Sequence, residues 1–157
     1  MLAGRRSAGF TLVELVVVIA IAGILASIAG PRFFGSNAFQ ERGYADELSA
    51  ALRYGQKVAV ASGCPVQATI AAAGYALGQQ AALAGHCNPA DAGFAAAVLY
   101  PDGQAVAGAA PAGVAVAPPV TFRFLPTGET DLGADFTVTV GARTVAVAAG
   151  SGLVVAQ

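Results

Sequence analysis

The feature of this sequence that most constrains its fold is an apolar run near the N-terminus. Residues 10–30 number 21, and Glu14 is the only charged residue among them. About 20 apolar residues in a helix span the hydrocarbon core of a bilayer. The run therefore predicts a membrane-spanning helix over residues 10–30. Glu14 needs an explanation, because a carboxylate inside such a span costs about 2.5–3.5 kcal/mol and normally has a partner.

Two ordinary interpretations of this run compete. A secretory signal peptide would also carry basic residues such as Arg5 and Arg6 before its apolar region. Such a region is usually only about 7–15 residues long, and no small-x-small cleavage site followed by polar sequence is evident. A plain membrane anchor explains the length, and the two arginines favour a cytoplasmic N-terminus. Neither interpretation explains Glu14.

Length and charge limit the rest of the chain. Its 157 residues suffice for one domain and not comfortably for two. Without residues 1–9, six basic and nine acidic residues remain, a net charge of −3. This balance argues against a nucleic-acid partner held mainly by charge. The two cysteines, Cys64 and Cys87, follow an export-type N-terminus, so one disulfide is favoured over two buried thiols.

After the apolar run, the pattern predicts a helix and then β-structure. Apolar residues recur at spacings of three and four over residues 38–61, and Ser62-Gly63 is a stop signal. A hairpin is expected over residues 66–77, and residues 104–119 are expected to be mostly loop with one edge strand. The clearest alternation predicts strands at 120–124, 136–140, 144–148 and 153–156. The expected fold is α+β, a long helix packed on an antiparallel sheet.

The start of the run carries a family resemblance. Gly9-Phe10-Thr11-Leu12-Val13-Glu14 resembles the prepilin motif of type IV pilins and type II secretion pseudopilins. The resemblance implies that prepilin peptidase cuts between Gly9 and Phe10, that Phe10 is N-methylated, and that Pro31 kinks the helix. It also implies that Phe10 and Glu14 join subunits in a filament. Such a contact would be favourable in lipid, because an amine and a carboxylate are each costly to bury alone and less costly to bury as a pair.

Two further stretches narrow the resemblance. Residues 52–59 and 122–128 resemble the minor-pilin branch that includes GspH, FimT and the MSHA-type minor pilins, and residues 62–66 lean toward the MSHA type. The implied protein has a type IV pilin-like fold and is a minor pilin or pseudopilin. It would be a structural and assembly component of a type II secretion pseudopilus or a type IV pilus. The implied partners are prepilin peptidase, other pilin or pseudopilin subunits and the inner-membrane assembly platform.

The same resemblance implies a division of the chain. Residues 1–9 are expected to be a leader peptide, and residues 10–61 a long helix whose residues 10–30 span the membrane. Residues 62–157 are expected to form a β-rich periplasmic domain. The precursor would cross the bacterial inner membrane once, with a cytoplasmic N-terminus, before it enters a filament.

The sequence shows no constellation of catalytic or cofactor-binding residues, so no enzyme, cofactor or metal is predicted. His86 could join Cys64 and Cys87 at a metal ion, but three ligands without C-x-x-C spacing are a poor zinc signature. The carboxylates within residues 129–135 could bind calcium, although a solvated turn is the preferred interpretation.

Two other functions are weighed against the assembly subunit. One is a binding module displayed on a filament, for DNA uptake or surface adhesion, because some FimT-like minor pilins bind DNA through basic residues near the C-terminus. Residues 148–157 contain no Lys or Arg, so nucleic-acid binding is not expected. The other is a membrane-anchored protein without any filament role.

Overall fold

The structure is a computed structural model that describes residues 11–33, 36–88 and 90–157. The chain divides into two units, Met1–Ser36 and Asn37–Gln157. The expected leader peptide and Phe10 lie outside the described residues.

The apolar run forms most of helix α1, Leu12–Phe33. Its side chains from Leu12 to Leu25 are exposed on every face. Leucine, valine, isoleucine and alanine occupy successive positions instead of one stripe, which is the pattern of a helix that is covered on all sides. Within the residues that the structure describes, no helix is both long and apolar enough to cross a bilayer.

Helix α2, Ser36–Ser62, is amphipathic. Its buried side contains the predicted stripe of Tyr44, Leu48, Leu52, Gly55 and Ala59, with Val58 half-buried beside it, and also Ala45, Ser49 and Ala51. The helix ends at Ser62, and Gly63 adopts a φ of +67°, the left-handed conformation that commonly stops a helix. Both the stripe and the stop were predicted. Because residues 34–35 are not described, the continuity of the predicted long helix stays a prediction.

Eleven short strands are described after α2. They are β1 (Val66–Ala71), β2 (Gly74–Gln79), β3 (Ala82–Leu83), β4 (His86–Cys87), β5 (Ala96–Ala97), β6 (Ala107–Ala109), β7 (Val116–Ala117), β8 (Val120–Phe124), β9 (Phe136–Val140), β10 (Arg143–Val147) and β11 (Val154–Ala156). One sheet has the order β5-β2-β1-β8, with β6 also pairing with β2. The second sheet has the order β11-β10-β9-β7, and β3 pairs with β4. All these pairs are antiparallel, so the α+β expectation is confirmed.

One core joins α2 to the inward side chains of both larger sheets. Strands β8 and β9 alternate between buried and exposed residues, as their sequences predict. Phe122 and Phe124 are buried in β8, with ring centroids 5.1 Å apart in an edge-to-face arrangement. Helix α2 therefore supplies the surface on which the β-structure of the Asn37–Gln157 unit packs.

The stretch predicted to be mostly loop, residues 104–119, contains two strands. The expected edge strand is present as β7, whereas β6 was not predicted. Ala107–Ala109 has no polar–apolar alternation, and its strand conformation comes from pairing with Gly74–Ala76 of β2. The prediction of loop here was wrong for β6, because the partner strand decides the conformation of so small a segment.

Candidate functional site

The candidate functional residues that the structure describes in the first unit lie at the start of α1. Thr11 precedes the helix, and its hydroxyl oxygen accepts a hydrogen bond from the Glu14 backbone N–H at 3.2 Å. The Thr11 carbonyl oxygen accepts from the Leu15 N–H at 3.1 Å. Thr11 is thus the N-cap, and the sequence Thr-x-x-Glu has the spacing of a capping box. The cap fixes Glu14 in the first helical turn, where the helix dipole favours a carboxylate.

The surroundings of Glu14 are apolar. Leu12 and Val13 are 79% and 70% exposed, and the other large aliphatic side chains up to Leu25 are also exposed. No partner for the Glu14 carboxylate lies among the residues that the structure describes. An exposed apolar helix of this kind requires a cover, and a carboxylate beneath that cover requires a cation.

Gly9, Phe10 and Pro31 were also predicted from the prepilin motif. Gly9 and Phe10 lie outside the described residues. Pro31 lies within α1, where nothing is described of its side chain. The kink at Pro31, the cut after Gly9 and the methylation of Phe10 therefore stay predictions.

The disulfide predicted from the cysteine count is present. Cys64 follows the end of α2, Cys87 lies in β4, and their Cα atoms are 5.6 Å apart. The bond ties the β3–β4 hairpin to the C-terminal end of α2. The segment after the hairpin is held by Asp91, whose carboxylate accepts the Ala81 and Gly93 N–H groups at 2.6 and 2.9 Å. These donors lower the pKa of the Asp91 carboxyl.

The metal sites considered from the sequence are not assembled. Both cysteine sulfurs are bonded to each other, and the exposed His86 has its Nδ1 3.1 Å from the Ala84 carbonyl oxygen. Among the carboxylates of residues 129–135, Asp131 forms an ion pair with Arg123 at 3.0 Å, and Asp135 accepts a hydrogen bond from the Ala149 N–H at 2.9 Å. Across the described part of the chain, no three potential ligands come together.

Helix α2 also positions distant turns through its polar residues, a role that the sequence did not reveal. Gln56 Nε2 donates to the carbonyl oxygens of Gly128 at 2.7 Å and Ser151 at 2.9 Å. Arg53 Nε donates to the Val154 carbonyl oxygen at 3.0 Å. A glutamine or arginine beside a buried stripe looks like an ordinary solvated residue, so only the tertiary structure identifies these roles.

A tyrosine cluster surrounds one carboxylate of α2. The Tyr75 hydroxyl donates to Glu47 Oε1 at 2.8 Å, and the Tyr44 and Tyr75 rings lie 6.0 Å apart. Burial raises the pKa of Tyr44 to about 12, with a smaller contribution from Glu47. Burial and the Glu47 hydrogen bond also raise the pKa of Tyr75, and burial raises that of Tyr100. The phenols therefore remain neutral at physiological pH, which fits a packing role rather than acid–base catalysis.

Comparison with known families gives two matches. A model of the prokaryotic N-terminal methylation motif matches residues 4–30. A model of the type II transport protein GspH matches residues 44–152, which is more than half of the chain. The first match includes Gly9, Phe10 and Glu14, and the second covers most of α2 and nearly all of the β-structure. Comparison with curated proteins and with solved structures gave no match.

Proposed function

Because the chain belongs to the GspH family of type II transport proteins, we propose that its precursor is cut after Gly9, methylated at Phe10 and built into a filament through Phe10 and Glu14. The chain is a type IV pilin-like minor pseudopilin of the GspH/FimT kind, in type II secretion or a type IV pilus. This family is one of structural components, which associate with other pilins or pseudopilins and with the secretion machinery.

One observation carries the proposal: a single carboxylate, held in the first turn of α1, is set in an apolar surface that continues to Leu25. Cleavage after Gly9 would create a new amine on Phe10, one helical turn before Glu14. In lipid, the amine of one subunit and the Glu14 carboxylate of another each lower the cost of burying the other. One such contact would set the register of neighbouring subunits.

The methylation motif suggests a membrane-anchored precursor. In our proposal, residues 1–9 are the leader and residues 10–30 cross the inner membrane, with the N-terminus in the cytoplasm. Residues 62–157 would lie in the periplasm, and the Cys64–Cys87 disulfide supports an oxidising compartment for them. Prepilin peptidase and the inner-membrane assembly platform would be the partners of the precursor, and Pro31 would bend the helix. The chain would have no enzymatic activity of its own.

Mass spectrometry of the mature N-terminus tests processing directly. The expected first residue is methylated Phe10, and no residue of 1–9 should remain. A mature chain that begins elsewhere, or carries unmethylated Phe10 in cells with an active peptidase, would contradict the proposal.

Substitution of Glu14 tests the assembly contact. Glu14→Gln and Glu14→Lys should leave the protein in the membrane and remove it from sheared filament fractions, because the Phe10 amine of a neighbour then loses its counter-charge. Val13→Ile is the matched control, since it changes an adjacent exposed position without changing charge. Normal filament entry of Glu14→Lys would count against the contact.

A further inference from the structure

A notch of about 210 Å³ lies between α2 and the end of β11, within the Asn37–Gln157 unit. It is lined by Arg42, Ala45, Asp46, Arg143, Ala156 and Gln157. The side chains that line it carry two positive charges, on Arg42 and Arg143, and one negative charge, on Asp46. The other side chains of the unit are acidic overall, so two arginines on one notch are a local feature.

The position of Arg143 is set by the turn before it. Val140 pairs with Arg143 across β9 and β10, so Gly141 and Ala142 form a two-residue turn. Gly141 has a φ of +58°, which a residue without a side chain adopts readily. Glu41 Oε2 accepts the Ala142 N–H at 3.1 Å and so ties this turn to α2. Glu41 is therefore a positioning residue that holds Arg143 at the notch.

The Arg143 guanidinium has no hydrogen-bond or ion-pair partner among the described residues. By contrast, Arg53 donates to a carbonyl oxygen at 3.0 Å, and Arg123 pairs with a carboxylate at 3.0 Å. Arg42 and Asp46 are 4.0 Å apart and 70% and 67% exposed, so their mutual attraction is weak. The notch thus presents a guanidinium free to take a carboxylate by two parallel hydrogen bonds.

The backbone of β11 adds a second set of groups. Gln157 exchanges both backbone hydrogen bonds with Thr144, so the next residue inward, Ala156, directs its N–H and C=O away from β10. Val154, two residues earlier, directs its carbonyl oxygen to the same side, where it already accepts a hydrogen bond from Arg53. Ala156 therefore offers one donor and one acceptor at the notch, the pair that an extended peptide matches.

We propose that the notch docks an extended, carboxylate-bearing loop of a neighbouring pilin-like subunit. Its Asp or Glu would pair with Arg143, and its backbone would pair with Ala156. A protein loop fits better than a small anion, because the notch offers peptide-like groups beside the cation. The inference rests on the proposed function, since a filament is what would bring a second subunit against this face.

Photo-crosslinking of the full-length chain in cells that assemble filaments tests the proposal. A benzoylphenylalanine at position 157 should form an adduct with another pilin-like subunit, mapped by mass spectrometry to a peptide that contains Asp or Glu. Arg143→Glu should lower the adduct yield by about tenfold or more, because like charges would then face each other. Arg143→Lys should retain most of the yield, and Glu41→Ala should lower it by weakening the position of the turn.

Lys57→Glu is the matched control. Lys57 is exposed, has no partner among the described residues and does not line the notch, so the same charge reversal should leave the yield unchanged. Protease resistance and the intact Cys64–Cys87 disulfide would show that each variant is folded. Arg143→Gln provides a second measure without charge reversal, and its yield should lie between those of the wild type and Arg143→Glu.

The outcomes separate this inference from the proposed function. If Phe10 is methylated and the chain enters filaments, but Arg143→Glu leaves the adduct unchanged, the docking site is wrong and the proposed function stands. No adduct in filament-forming cells, or an adduct only with lipid or nucleic acid, would also overturn the docking site. If methylation and filament entry both fail, the proposed function itself is wrong.

Discussion

Replacement of Gln56 should reveal how strongly α2 holds the turns of the β-structure. Its side-chain amide donates two hydrogen bonds, to the Gly128 and Ser151 carbonyl oxygens at 2.7 and 2.9 Å. Gly128 is buried and Ser151 is exposed, so water can replace the second bond more easily than the first. The two turns also touch each other here, because a Cβ at Gly152 would collide with the Gly128 carbonyl oxygen.

The loss of unfolding free energy expected for Gln56→Ala follows from these two hydrogen bonds. A hydrogen bond contributes about 0.5–1.5 kcal/mol net, and leaving a buried carbonyl oxygen unpaired costs about 1–3 kcal/mol. Gln56→Ala should therefore lower the free energy of unfolding by about 2 kcal/mol. For a unit of this size, that loss corresponds to a fall of roughly 6–10 °C in the thermal midpoint.

Gln56→Glu is the more decisive variant, because it keeps the shape and removes both donors. An ionised glutamate is only an acceptor, and here it would face two carbonyl oxygens. At neutral pH this variant should be about 1–2 kcal/mol less stable than Gln56→Ala, since a repulsion is added to the lost bonds. As the pH falls through the pKa of the new carboxyl, one O–H donor returns and stability should recover toward that of the wild type.

Thermal unfolding of the full-length chain in detergent, followed by circular dichroism from pH 4 to 8, measures both effects (these limits are roughly the range in which a carboxyl titrates). Lys57→Ala is the control. Lys57 follows Gln56 and is exposed, so its substitution should change the free energy of unfolding by less than about 0.5 kcal/mol. If Gln56→Glu is as stable as the wild type at every pH, the two donated hydrogen bonds do not contribute to stability.

Two further predictions concern the same unit. Reduction of the Cys64–Cys87 disulfide, which joins residues 23 apart, should lower the free energy of unfolding by about 3 kcal/mol in urea titrations, and an unchanged midpoint would contradict this. Between pH 10 and 12 the unit should lose stability, because the pKa of Tyr44 is raised from 10.0 to about 12, and that of Tyr75 is also raised. Raised phenol pKa values add stability that is complete below pH 10 and disappears as the pH rises through the folded-state values. The Tyr44→Phe variant should lose less stability than the wild type between pH 10 and 12. It should be no less stable at pH 7, since the buried Tyr44 hydroxyl has no hydrogen-bond partner among the described residues. A large loss of stability at pH 7 would contradict this.

Regular periodicity made much of the fold predictable from the sequence. The stripe of α2 and the alternation of β8 and β9 each repeat over several residues, so one face of each element could be assigned to the core. The hairpin of β1 and β2 follows from alternation interrupted by a short turn. The N-terminal motif was predictable for a different reason, because its residue types occur in a fixed order next to a long apolar run.

Features that depend on contacts between distant residues were not predictable. Strand β6 consists of alanine and glycine, and it lies more than 30 residues from its partner Gly74–Ala76 in β2. The two acceptors of Gln56 lie 72 and 95 residues away. The Glu41 contact with Ala142 spans 101 residues. No local pattern encodes such pairings, and only the folded chain brings them together.

The distribution of internal partners indicates which charges remain for other molecules. Glu41 holds the β9–β10 turn, Glu47 accepts from Tyr75, and Arg53 donates to β11. Glu14 and Arg143 have no such partner among the described residues. Under our proposals they act in different media, and the interaction in lipid is the stronger because the dielectric constant is low. Glu14 would therefore decide whether a subunit enters the filament, while Arg143, in water and sensitive to salt, would decide which neighbour it accepts.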